Sequence, residues 1–166
     1  MRALLAIPLL FVTEALANEH QFVSPNGEFE AYTTAANQDG TGMKLFVRRA
    51  GSRDTGVLLR QNNRWIDAKW SPDSDFLAVI DHLDGHISDV YVFGVGRADA
   101  AATLLYHTPE LHRYDVQWEV TGWNVARREV ILEKAVKHEM SGRIRHEKVV
   151  ARIGTQPLKL EPNESI

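Results

Sequence analysis

The densest group of side chains able to do chemistry is Asp81, His82, Asp84, His86 and Asp89, which offer oxygen and imidazole donors along one short stretch. Donors of this kind suit zinc or another divalent ion, which would lower the pKa of bound water and create a nucleophile. A metal-dependent hydrolase centred on these residues is therefore one expectation. The competing reading is a solvated hairpin loop. His82 and His86 are four apart, a spacing that converges on a helix but splays in a loop. Asp84-Gly85 is a common turn dipeptide, and no glutamate closes the stretch as it would a calcium loop. Apart from a divalent ion at this stretch, no cofactor is implied.

The chain carries four tryptophans, and aromatic faces either pack or present flat surface to a sugar or protein. Trp70 and Trp118 end comparable runs, Arg64 to Trp70 and Arg113 to Trp118, and are read as packing residues. Tyr32, Trp65, Tyr91 and Trp123 are the candidates for an exposed contact surface. Other chemistry finds little footing. There is no Gly-x-Ser-x-Gly elbow to activate a serine, and Ser24, Ser71, Asp73 and Asp75 fall in turns. The glycine pairs Gly40/Gly42 and Gly94/Gly96 are not placed to open helices, so no phosphate-cradling loop is expected.

The elements that must position these residues recur along the chain. The run from Phe22 to Tyr32 (FVSPNGEFEAY) aligns with Lys69 to Val79 (KWSPDSDFLAV), placing Ser24 on Ser71, Pro25 on Pro72, Phe29 on Phe76 and Ala31 on Ala78 at an offset of 47 residues. Ser-Pro-Asn-Gly and Ser-Pro-Asp-Ser each put proline at the second position of a tight turn, between two runs of strand-forming residues. Downstream, Lys44 to Val47 answers Asp89 to Val92, and Gly56 to Leu59 answers Ala102 to Leu105. Each is a short β-prone run bounded by turn residues. A third unit opens near Arg113 and continues through strands at residues 128–133 and 143–153. Glu119 to Trp123 stands in the place of its Ser-Pro-Asp turn. Residues 129–137 have a composition that also admits a helix, but their β-branched residues favour a strand.

The expected fold is all-β: four-stranded antiparallel units over residues 19–63, 64–112 and 113–160, with a polar tail at 161–166. The alternative is a β-sandwich. Residues 1–17 have the layout of a cleavable secretory signal, with Arg2 before an apolar run and Ala15-Leu16-Ala17 offering a small-x-small site. The apolar run is too short to span a bilayer. Cleavage would remove one base and one acid and leave the net charge at −3, which gives no footprint for nucleic acid. Cysteine is absent, so neither disulfides nor a lipidated cysteine can contribute. The periplasm or the exterior is the expected compartment.

The Trp-Ser-Pro-Asp turn at 70–73, followed by Phe-Leu-Ala-Val and then Asp-Val-Tyr-Val, resembles the repeats of TolB-type periplasmic β-propellers and their WD-like relatives over about residues 20–160. The resemblance implies four-stranded blades and carries over no catalytic residues. Propellers usually close with four to eight blades, and only three units fit here. Open ends would expose apolar faces, so a homodimer completing a six-bladed ring is expected. The function expected from these features is a non-enzymatic module whose loops hold an envelope protein or a glycan.

Overall fold

The computed structural model describes residues 20–37, 42–109, 115–137 and 141–155. The signal-like segment 1–17 and the tail 161–166 lie outside the described residues. Among the described residues the regular structure is eleven strands and one turn of 3₁₀ helix at Val125–Arg127, so the strand reading of residues 129–137 holds over the helical one. Among the described residues no helix is long and apolar enough to cross a membrane.

The strands form three antiparallel sheets, each a simple up-and-down meander. The first contains β1 (Gln21–Val23), β2 (Phe29–Ala35), β3 (Met43–Arg49) and β4 (Val57–Asn62). The second repeats it with β5 (Ile66–Trp70), β6 (Phe76–His82), β7 (Ser88–Val95) and β8 (Ala102–His107). The third has three described strands, β9 (Val116–Asn124), β10 (Glu129–Lys137) and β11 (Ile144–Arg152). The three sheets stack in series like propeller blades. One core lies between the first and second sheets, with Phe29, Leu45, Val47, Leu77 and Val79 fully buried. The other lies between the second and third, around Ala78, Val92, Val130 and Leu132. Because the middle sheet is covered on both faces, β6 and β7 are almost continuously apolar. A two-sheet sandwich is not formed.

The Ser-Pro turn does what its residues dictate. Ser24 Oγ accepts from the Phe29 amide at 2.9 Å, the Ser24 amide reaches the Phe29 carbonyl at 2.9 Å, and the Gly27 amide closes the turn on the Ser24 carbonyl at 2.8 Å. Ser71 makes the same set with Phe76 and Ser74. Gly27 and Ser74 both take the left-handed conformation that such a closure requires. The two turns also touch, since the Asn26 amide donates to Ser74 Oγ at 3.1 Å.

The third unit departs from its expected layout. Glu119 to Trp123 is not the turn but the body of β9, and the reversal comes later, where the Arg128 amide closes on the Val125 carbonyl at 3.0 Å. The pairing registers settle the correspondence: Trp70 sits opposite Leu77, and Trp123 sits opposite Val130. Trp123 is therefore the counterpart of Trp70. Trp118, expected in that role, lies earlier in β9 opposite Lys134, buried in the second core.

The two end faces differ from the internal ones. Towards its neighbour, the second sheet presents the Leu77/Phe93 and Val79/Tyr91 pairs. The same positions on the outward face of the first sheet hold Glu30/Arg48 and Tyr32/Phe46. Glu30 is ion-paired to Arg48 at 2.5 Å and also receives the Gln21 amide. On the outward face of the third sheet, Glu129 and Glu133 stand at the positions of Phe76 and Ile80. Charge at terminal faces is how a stack of repeats ends in water.

Candidate functional site

A cleft of about 350 Å³ opens where the second sheet meets β9, the edge strand of the third, and takes in side chains from both faces of that strand; it is lined by Trp65, Asp67, His82, Gln117, Trp118, Glu119, Glu133 and His146 among others. Ser88 fixes its floor by joining the sheets: its Oγ receives the Trp118 amide at 2.7 Å and donates to the Trp118 carbonyl at 2.9 Å. On one wall, His82 Nε2 lies 3.2 Å from Asp67 Oδ2, and the Trp65 ring stacks on the His82 ring with centroids 4.5 Å apart. On the other, His146 Nδ1 lies 2.5 Å from Glu133 Oε1. The β10–β11 register makes that contact by setting His146 opposite Ala135, two residues from Glu133 on the same face. Gln117 spans the rim, donating to the Gly85 carbonyl at 2.9 Å. Trp65 is 43 % exposed, so the indole has one face against His82 and one open to solvent.

Of the four aromatic residues expected to form a contact surface, only Trp65 reaches this cleft. Tyr32 is buried on the outward face of the first sheet, its hydroxyl bonded to the Thr55 carbonyl at 2.6 Å and its ring covered by Arg48 at 4.3 Å. Burial holds its phenol above the usual value of 10, partly offset by Arg48. Tyr91 is buried between the first two sheets and accepts from Arg60 at 2.8 Å. Trp123 stacks on Phe76 at 6.3 Å. Strand alternation turned Tyr91 and Trp123 towards a neighbouring sheet, whereas Tyr32 is covered on the outward face by its own sheet's Arg48.

The acid and histidine stretch is divided by the same alternation. Asp81 and His82 are adjacent in β6 and point to opposite faces. Asp81, fully buried, turns to the first sheet and is held by Arg60 at 2.5 Å and by the Asn62 amide. His82 turns to the third. Asp84 accepts from the His86 amide at 2.5 Å within the loop, and Asp89 is buried beside Thr108. Among the described residues no three His, Asp or Glu side chains converge as a metal site would need. Of the five acid and histidine side chains of the stretch, His82 alone lines the cleft. Sequence reasoning missed Asp67, Gln117, Glu119, Glu133 and His146, which come together only through sheet register and sheet packing.

No known protein family matches the chain, and no curated protein matches it in sequence. Among solved structures it is similar to the β-propeller domain of the Trilobed protease from Pyrococcus furiosus, described as having an open velcro topology. The TM-score is 0.56 at 14% identity, over 82% of this chain and 41% of that one. A second similar structure, a proposed 6-phosphogluconolactonase from Bacteroides uniformis, aligns with a TM-score of 0.40 at 16% identity, over 82% of this chain and 41% of its own. That lower score adds nothing to the argument. The chain thus spans about two-fifths of the length of the structures it matches. The first likeness, with the three serial sheets, makes the fold propeller-like.

Proposed function

We propose that this chain is an exported, non-enzymatic binding module built on TolB-type, WD-like propeller blades, and that it holds a protein or envelope-associated ligand in the cleft where the second sheet meets the β9 edge of the third. The observation that carries the reading is Trp65. It is a large aromatic residue left substantially exposed at the mouth of a concave, mixed polar and apolar cavity, in a molecule whose other three tryptophans are engaged in packing between sheets. Export rests on the arrangement of residues 1–17.

A photo-crosslinking amino acid placed at position 65 in the full chain tests it in cells, with the same group at exposed Arg53, remote in sequence from the cleft, as control. A discrete adduct at 65 and none at 53 is the expected result. No adduct at either position, or the same adducts at both, would remove the cleft from consideration.

A further inference from the structure

We infer that the cleft recognises an uncharged, hydroxyl-bearing ring, that is, a short neutral glycan; this rests on the cleft being the binding site. Three features of its lining lead there. The first is the open face of Trp65, whose other face is fixed by the stack on His82 at 4.5 Å. A flat, immobilised aromatic surface matches the C–H face of a sugar ring and costs little conformational entropy to use.

The second is a ring of planar acceptors. Asp67, Glu119 and Glu133 line the same cavity, and hydroxyl groups are the donors that complement carboxylates. Asp67 and Glu133 are already oriented by His82 and His146. The Glu119 side chain is exposed on β9, opposite Glu133 in the β9–β10 register.

The third is charge. The carboxylates repel an anionic ligand. Two of the three carboxylates, Asp67 and Glu133, already face the His82 and His146 imidazoles, and the Lys134 ammonium sits 5.4 Å from the Trp118 ring centroid, so Glu119 is the acid most open to a hydroxyl donor. The volume of about 350 Å³ lies at the small end of ligand sites and suits one or two rings rather than a folded surface.

The test is titration of the purified chain with neutral disaccharides of glucose and of N-acetylglucosamine, read by calorimetry and by tryptophan fluorescence, with a lysine-containing tripeptide as the cationic comparison. The expected result is saturable binding of at least one sugar and weaker or no binding of the tripeptide. Trp65→Ala should lower the affinity at least about fivefold, in line with the worth of an aromatic contact. Glu119→Gln should lower it as well, with the unfolding transition unchanged in both variants. Binding of the tripeptide in preference to every sugar overturns the inference, as does sugar binding that survives both substitutions. Adducts at position 65 in cells with no sugar bound in the titration would leave the cleft as a binding site and overturn its assignment to glycans.

Discussion

Trp123 stacks on Phe76 with ring centroids 6.3 Å apart and an interplanar angle of 17°, and in doing so repeats the contact of Trp70 with Phe29, at 6.1 Å and 21°. Each sheet after the first thus places a tryptophan, from the end of its inner strand, on a phenylalanine from the second strand of the sheet before it. Arg49 and Arg128 lie over Phe29 and Phe76 at 5.8 and 4.9 Å. The series stops at both ends. Val23, opposite Glu30, holds the tryptophan position in the first sheet and is 55 % exposed. Glu129 holds the phenylalanine position in the third.

The two stacks differ in one atom's surroundings, and that difference predicts unequal responses to one substitution. Trp70 Nε1 donates to the Phe22 carbonyl at 2.9 Å, whereas Trp123 Nε1 is buried without a partner among the described residues. Trp70→Phe is expected to cost about 1 kcal/mol more than Trp123→Phe, because only the first forfeits a hydrogen bond. Trp70→Ala should cost about 3–5 kcal/mol. Urea unfolding of the four proteins provides the comparison; equal losses for the two phenylalanine variants would contradict it.

Asp81 joins the first two sheets through Arg60 and Asn62. Asp81→Ala leaves Arg60 without its buried partner and is expected to destabilise the fold by about 3 kcal/mol. In a double-mutant cycle, Arg60→Met should recover part of that loss by removing the stranded charge. A strictly additive cycle would show that the contact contributes no coupling.

Charged end faces predict a single chain in solution. Light scattering should return the mass of one chain across a range of concentrations, and Glu30→Leu combined with Arg48→Phe, which restores the apolar pair of the second sheet, should promote association. A two-chain mass for the unsubstituted protein would instead support a six-bladed ring.

Two tyrosines couple the fold to alkaline pH. Burial raises the phenols of Tyr32 and Tyr106 above the usual value of 10, so the folded chain retains protons that the unfolded chain releases at lower pH. Their contribution is therefore fully present below about pH 10 and is lost as the pH climbs through the folded values. Urea midpoints should fall above about pH 10, and less steeply in the Tyr106→Phe variant. An identical slope in that variant would show that Tyr106 takes no part.

Trp65 should be dispensable for folding. Being 43 % exposed and outside both cores, its replacement by alanine is expected to shift stability by no more than about 0.5 kcal/mol. A larger loss by thermal unfolding would make the stack on His82 a structural contact.

Much of this protein was legible in the order of its residues. The Ser-Pro turns, the 47-residue offset and the alternation of apolar residues specify strands, hairpins and a serial all-β architecture through local conformational preferences acting within a few residues. Those signals weaken in the third unit, where the turn lacks the Ser-Pro pair. There the register, with Trp123 opposite Val130, rather than sequence spacing, identified the counterpart of Trp70. Tertiary structure alone decided which side chains meet. Asp81 and His82 share a strand yet belong to different interfaces, because successive residues of a strand face opposite ways. Asp67, Glu119, Glu133 and His146, scattered over three strands of one sheet and one of another, enclose a single cleft with Trp65. Packing of one sheet on the next sets such distances, and no short-range preference of the chain encodes them.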